Sequence, residues 1–258
     1  WVPLPKLLAA ARTGTGTILL GDGSTGMLPE EWLRRRGLIL AAGEVEGKAL
    51  RYRKCQGVLL DVLLAEAQGA SVDATFKALS RGLRRFDGVK AQEPPARFTG
   101  TLRPYQKLAL GWTGFLRRLG LGGCLADDMG LGKTVTVLAL LAGRKGTSLV
   151  VVPKSLIFNW RAEAARFVPD LRVMDYTGAE RRGDFKEADL VLTTYGTLRR
   201  DAALLKDVEF DYVILDEAQA IKNEGSQTAK AARLLKGRQR LALSGTPIEN
   251  HLGELWSL

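Results

Sequence analysis

Asp128-Met129-Gly130-Leu131-Gly132-Lys133-Thr134 lies between an apolar strand candidate, Gly123-Cys124-Leu125-Ala126, and an apolar helix candidate, Lys133 to Leu141. Strand, glycine-rich turn and helix in that order make a phosphate site. Glycine lets backbone N–H groups approach phosphate oxygens, and the helix N-terminus adds partial positive charge. Lys133 is placed to reach the β- and γ-phosphates, and Thr134 to offer a hydroxyl to magnesium. Stripped of the lysine-threonine pair and its flanks, the same string would be a plain glycine turn. The usual first glycine of such a loop is Asp127 here.

Outward from this loop the chain alternates strand and helix, the pattern of a parallel sheet covered on both faces. The further strand candidates are Ser148 to Val152, Leu171 to Asp175, Leu190 to Thr194, Tyr212 to Leu215 and Leu241 to Leu243. Helix candidates fall between them at Leu156 to Phe167, Thr197 to Leu205 and Gln227 to Leu235. Val213-Ile214-Leu215-Asp216-Glu217-Ala218-Gln219 ends a buried strand with two acids, on the edge where open α/β sheets hold ligands. Asp216 then suits magnesium, and Glu217 can orient and deprotonate the water that attacks the γ-phosphorus. Taken alone, a strand followed by two acids is also an ordinary strand end.

Upstream, Glu93-Pro94-Pro95-Ala96-Arg97 breaks the pattern, because consecutive prolines forbid helix. The boundary is placed there, giving an accessory domain over 1–97 and a nucleotide-binding domain over 98–258. In the first, Ile18-Leu19-Leu20 reads as a strand running into the turn Gly21 to Gly26, with a helix from about Pro29. Val58 to Ala67 and Val72 to Phe86 carry apolar residues at helical spacing, the second with Ser71 as a cap. Basic clusters at Arg34 to Arg36, Arg51 to Lys54 and Arg81 to Arg85 suit either DNA phosphates or a solvated face. Gly14-Thr15-Gly16 lacks the lysine and helix of a phosphate loop and reads as a loop.

The 258 residues can bury one substantial core and a smaller one. A formal charge of +10 favours an anionic partner or a well-solvated surface. Cys55 and Cys124 stand far apart, without zinc or disulfide spacing, and fit a reducing compartment. No apolar run approaches the roughly 20 residues that cross a bilayer, so no membrane partner is expected. Both ends, Trp1 and Leu258, read as cuts, and a removed leader stays compatible with them. His251, the one histidine, has no nucleophile arranged around it and suits a surface or capping position.

Thr101-Leu102-Arg103-Pro104-Tyr105-Gln106, the loop ending Gly132-Lys133-Thr134, Asp216-Glu217-Ala218-Gln219 and Ser244-Gly245-Thr246-Pro247-Ile248-Glu249-Asn250 together resemble the ordered motifs of SWI/SNF-type ATPases of helicase superfamily 2. The Asp127-Asp128-Met129-Gly130 variant is similar to that family's own loop, and Gln219 resembles many bacterial members. The resemblance runs from about Phe98 to Leu258 and implies a RecA-like lobe, α/β with helices on both sheet faces, behind a small, mainly helical accessory domain. It implies ATP and Mg²⁺ as cofactors, held by Arg103, Gln106 at the adenine edge, Asp128, Met129, Gly130, Leu131, Gly132, Lys133 and Thr134, with Thr134 and Asp216 on the metal. Catalytic roles fall to Lys133, Asp216, Glu217 and Gln219.

The same resemblance gives Lys154, Asn159 and Thr194 as contacts to the backbone of a tracked DNA strand, and Ser244 and Thr246 as the motif linking nucleotide to DNA. Trp160 reads as helix packing beside a stacking alternative. The implied whole is a DNA-dependent ATP hydrolase moving along double-stranded DNA, cytoplasmic and nucleoid-associated if bacterial, with RNA polymerase or another DNA-bound complex as its target. No Gln-x-x-Arg-x-x-Arg string occurs, so the second RecA-like lobe is missing and this chain alone is expected to hydrolyse ATP poorly. An RNA helicase of the same superfamily, or a nucleotide-gated binding module without turnover, are the alternatives.

Overall fold

The computed structural model describes residues 10, 17–28, 43–47, 49–65, 71–178, 184–223 and 225–246. The helix expected from Pro29, the loop Gly14 to Gly16 and the stretch from Pro247 to His251 lie outside them. The chain divides into two compact units, Trp1–Asp87 and Gly88–Leu258.

In the first unit, β1 (Thr17–Leu19) and β2 (Thr25–Met27) form an antiparallel hairpin. Gly23 takes φ +84° at its tip, and Ser24 donates from both N–H and hydroxyl to Asp22. A second hairpin, β3 (Glu44–Glu46) with β4 (Ala49–Arg51), has no counterpart among the expected elements; its strands are too short and charged to show alternation. Two helices come next, α1 (Gly57–Ala65) and α2 (Ala74–Arg84). The cap of α2 is Asp73, whose carboxylate accepts from the Phe76 N–H at 2.6 Å, and not Ser71, which lies too far upstream to reach the first turn.

The second unit begins before the expected border. Residues 88–97 lie along helix α3 (Pro104–Leu119): the Gln92 N–H donates to the Lys107 carbonyl, and Lys107 pairs with Glu93 at 2.7 Å. A Cβ on Gly111 would meet the Lys90 carbonyl oxygen at 1.9 Å, so glycine is what lets this segment approach. The prolines forbid helix there but do not end the domain.

After α3 come β5 (Gly123–Leu125), α4 (Lys133–Ala142), β6 (Ser148–Val152), α5 (Ile157–Phe167), β7 (Val173–Asp175) and β8 (Leu190–Thr194). The chain continues through α6 (Tyr195–Arg200), α7 (Ala202–Leu205), β9 (Glu209–Leu215), α8 (Gln227–Leu234) and β10 (Lys236–Leu243). The six strands form one parallel sheet in the order β5-β10-β9-β6-β8-β7. Its faces are both apolar, because Val150 and Val152 point into one core with Leu138 and Trp160 while Leu149 and Val151 point into another with Leu198 and Leu205. Helices α3, α4 and α5 cover the first face, and α6, α7 and α8 the second. The expected α/β fold is the observed one.

Several elements differ from their expected spans: β9 begins at Glu209 and not at Tyr212, β7 at Val173 and not at Leu171, and three further differences have a local cause. Helix α3 is absent from the expected helices, although Leu102-Arg103-Pro104 carries its proline at the first position and Gly120, at φ +66°, ends it. The helix expected over Thr197 to Leu205 starts two residues earlier, because the Thr194 hydroxyl caps it, and breaks at Asp201. Strand β10 reaches back to Lys236, where its charged first half pairs with β9 and escapes an apolar criterion.

Candidate functional site

The register aligns the carboxyl ends of the strands. Leu125 of β5 lies opposite Leu243 of β10, Ala242 opposite Leu215 of β9, Leu215 opposite Val151 of β6, and Val152 opposite Thr194 of β8. The residues just past these strand ends therefore gather on one edge: the phosphate-type loop, Ser244, Asp216, Lys154 and Tyr195.

The loop between β5 and α4 is shaped by two left-handed glycines, Gly130 at φ +81° and Gly132 at φ +75°. These angles exclude a β-carbon without strain. At Gly132 a Cβ would also come within 2.7 Å of the Gln106 amide nitrogen. Lys133 folds back so that Nζ donates to the carbonyls of Asp127 at 2.7 Å and Asp128 at 3.1 Å, which holds an ammonium group at the loop's mouth. Thr134 stands beside it in the first turn of α4. Asp128, Met129 and Gly130 are exposed, and Leu131 is half-buried.

Asp216 is buried at the end of β9, yet it makes no ion pair among the described residues. Oδ2 accepts from the Trp160 indole N–H at 2.7 Å, Oδ1 from the Glu217 N–H at 2.9 Å, and its carbonyl from the Tyr195 hydroxyl at 2.7 Å. Burial pushes its carboxyl above the ordinary value; the bonds from Trp160 and Glu217 oppose this, the Glu217 charge adds to it, and the Lys133 charge opposes it. Lys133 and Asp216 thus share one electrostatic neighbourhood. Tyr195 is driven to a higher pKa mainly by its own burial, so it stays a neutral donor.

Glu217 is the one non-glycine residue with positive φ among those described, at φ 49° and ψ 56°. Such strain marks functional positions and survives only where the surroundings hold it. Its Oε2 accepts from the Gln219 amide at 2.6 Å; the Gln219 carbonyl oxygen accepts from the Ser244 hydroxyl at 3.0 Å; and Ser244 Oγ accepts in turn from the Thr246 N–H at 3.1 Å. The four residues form one relay from the acid pair to the end of β10.

The remaining expected residues are placed as follows. Gln106 is buried, and its amide is already used: Oε1 accepts from the Arg103 N–H, and Nε2 donates to the Leu131 and Gly132 carbonyls at 3.2 and 3.4 Å. In this arrangement it braces the phosphate-type loop, and Tyr105 does the same through a 2.8 Å bond to the Leu131 carbonyl. Arg103 is exposed at the helix start. Lys154 and Asn159 are exposed on the segment after β6, with Asn159 donating to Glu163. Thr194 is half-buried and uses its hydroxyl to cap α6. Ser244 is fully buried, so it cannot stand on a DNA-facing surface as placed; it belongs to the relay. Thr246 is exposed.

Trp160, fully buried, packs in the core but also touches the site's acid, a role beyond both packing and stacking. Tyr195, which closes the Thr193-Thr194-Tyr195 segment that the resemblance puts against the DNA backbone, bonds to the same acid's backbone, a contact the sequence did not indicate. Nothing in spacing shows which buried aromatic will find a carboxylate; only the fold does.

Among the described residues, no group of three or more histidine, cysteine or acidic side chains could hold a metal unaided. One carboxylate and one hydroxyl beside a phosphate-type loop fit magnesium, which keeps waters and takes phosphate oxygens as ligands.

Comparison with known proteins identifies the family. The family model of the SNF2-related domain matches residues 105–258. YwqA of Bacillus subtilis, which carries an ATP-dependent helicase/translocase name, is 43% identical over 195 residues, 71% of this chain and 21% of its own length. The ISWI chromatin-remodeling complex ATPase CHR17 of Arabidopsis thaliana is 38% identical over 185 residues, 66% of this chain and 17% of its own. Among solved structures, the Sulfolobus solfataricus SWI2/SNF2 ATPase core in complex with dsDNA is similar, with a TM-score of 0.61 and 42% identity over 65% of this chain and 36% of that one. The chain therefore spans about a fifth of the length of these curated relatives and about a third of the solved core.

Proposed function

The chain belongs to the SNF2-related family of helicase superfamily 2, and from that premise we propose that it is the ATP-binding lobe of an ATP-dependent double-stranded DNA translocase that remodels protein–DNA complexes. One observation carries this: Lys133 on its glycine loop and the Asp216–Glu217 pair meet on a single sheet edge, as gripping and hydrolysing a triphosphate require.

In this proposal the backbone N–H groups from Gly130 to Thr134 cradle the phosphates, and Lys133 exchanges its loop carbonyls for phosphate oxygens. Magnesium, held by Thr134 and Asp216, supplies neutralisation of phosphate charge when bound. Glu217 orients the attacking water and accepts its proton, and Gln219 keeps the Glu217 carboxylate aimed by the bond it already donates. Lys154 and Asn159, exposed on the same edge, contact the DNA backbone without reading sequence, which suits a motor that tracks along any sequence. A second lobe supplies arginines to the developing charge, worth roughly 10³ to 10⁵ in rate, so this chain alone turns over slowly. The similar Sulfolobus solfataricus core is in complex with dsDNA, and CHR17 is named for chromatin remodelling; both support duplex DNA as the track here.

The test is ATP hydrolysis by the full-length protein with and without duplex DNA. Duplex should stimulate it, and Glu217→Gln should retain nucleotide binding while losing about 10² to 10⁴ in turnover. Stimulation by single-stranded RNA alone would make it an RNA helicase, and binding without any turnover would make it a nucleotide-gated module.

A further inference from the structure

The strand order splits the carboxyl edge into two halves. The nucleotide-type groups come after β5, β10 and β9, whereas the segments bearing Lys154, Asn159 and Thr194 belong to β6 and β8 and their exits. Asp216 stands where the halves meet, because β9 lies directly beside β6. It is bonded across that seam twice. The Trp160 indole, next in sequence to Asn159, reaches its carboxylate; the Tyr195 hydroxyl, next to Thr194, reaches its carbonyl.

These two bonds control different things. The indole N–H can only donate, and Trp160 is fully buried, so any shift of α5 either drags the Asp216 carboxylate along or leaves a buried donor unpaired. The Tyr195 bond fixes the peptide plane joining Asp216 to Glu217, and the left-handed φ of Glu217 depends on that plane. A displacement at Thr194, which caps α6, reaches Glu217 by this route. Neither partner touches the phosphate-type loop through any hydrogen bond described.

We infer that Trp160 and Tyr195 are positioning residues that couple duplex DNA on the β6 and β8 segments to the geometry of the metal-bearing acid pair. This rests on the function proposed above. Trp160 transmits movement of α5 to the carboxylate of Asp216, and Tyr195 transmits movement of α6 to the backbone of Glu217. Coupling of this kind is reciprocal: if duplex tightens magnesium-nucleotide, then magnesium-nucleotide tightens duplex by the same factor.

The full-length protein tests it by equilibrium binding of a fluorescent ATP analogue, with magnesium varied and with or without duplex DNA. Trp160→Phe and Tyr195→Phe each remove one donor and keep an aromatic ring. Each should raise the half-saturating magnesium concentration about tenfold, as loss of a ligand's outer partner does. Each should also cut the duplex-induced gain in nucleotide affinity by at least half. Variants that titrate as the native protein does overturn the inference, since the bonds would then merely satisfy buried donors. Weaker magnesium binding with the duplex effect intact overturns it too. Should Trp160→Phe fail to fold, Tyr195→Phe decides, as it removes a single oxygen. A native protein with neither duplex-stimulated hydrolysis nor a duplex effect on nucleotide binding brings down the proposed function and this inference together; a native protein showing both, with variants unchanged, brings down the inference alone.

Discussion

Two buried acids stand at opposite ends of β9, and they have been treated in opposite ways. Asp211, near the amino end, faces Arg144: Nε lies 2.6 Å from one carboxylate oxygen and Nη2 3.0 Å from the other, a bidentate pair with the guanidinium near the Tyr212 ring. Asp216, just past the carboxyl end, is as deeply buried but receives only neutral N–H donors. In the function proposed above, the carboxylate that the fold leaves without a charged partner at one end of the strand is the one that takes a cation from outside, and the neutralised one is not. On that proposal the contrast distinguishes a structural acid from a working one by charge compensation, without appeal to motif.

The strongest challenge to that contrast is Asp216→Asn in the full-length protein, expected to lower hydrolysis on the order of a hundredfold or more while the fold holds. The asparagine oxygen can still accept from Trp160, while the amide nitrogen beside it loses the bond from the Glu217 N–H, so removal of the buried charge should raise the midpoint of thermal unfolding at pH 7 by no more than about one to two degrees. The sign comes from the raised carboxyl: the folded state holds the proton more tightly than the unfolded chain, so native stability is fullest below the ordinary value of 3.8 and falls as pH climbs through the raised folded value. The variant's advantage should therefore be present at neutral pH and vanish in acid. A variant more than about five degrees less stable than the native protein at pH 7, beyond the cost of one lost hydrogen bond, would mean that Asp216 is structural after all.

At the other end, Asp211→Asn should do the reverse. Breaking a buried pair leaves Arg144 uncompensated and costs about 3 to 5 kcal/mol, roughly 10 °C in midpoint for a domain of this size. The surviving folded protein should bind nucleotide as before, measured below the new midpoint. Lost nucleotide affinity in well-folded protein would erase the distinction between the two acids.

Much of this is legible in the residues. The phosphate-type loop, the acid pair and all six strands of the sheet announce themselves, the strands by short apolar runs, because a strand buried on both faces needs an unbroken apolar stretch. The site's edge follows from the parallel sheet alone. What the sequence hides lies where tertiary contact overrides pattern. Trp160 meets Asp216 only because α5 packs against the sheet beside β9. Gln106, whose amide suits an adenine edge, commits it to loop carbonyls once α3 is docked. Ser244 sits in a motif string whose hydroxyl could face outward, but the end of β10 is buried and turns it toward Gln219. The domain border moves because proline breaks helix without breaking packing, and residues 88–97 are held by α3 in extended form.

The backbone at Glu217 offers a finer measure of the same asymmetry. A left-handed conformation costs a residue with a β-carbon on the order of 1 to 2 kcal/mol, and glycine escapes it while losing extra chain entropy on folding. Glu217→Gly should therefore stabilise the fold by about 0.5 to 1 kcal/mol, read as a rise of a few degrees in midpoint, while hydrolysis by the full-length protein disappears with the carboxylate. No such gain exists beside Asp211, where Tyr212 lies in regular strand. If Glu217→Gly is instead destabilising, the bonds from Gln219 and Tyr195 outweigh the strain, and the acid pair is held in place by its partners rather than in spite of its backbone. Stabilisation by glycine would fit the role proposed for Glu217, a residue kept in a costly conformation with its carboxylate aimed by a neighbour's amide for the chemistry at that atom and not for the strand it ends.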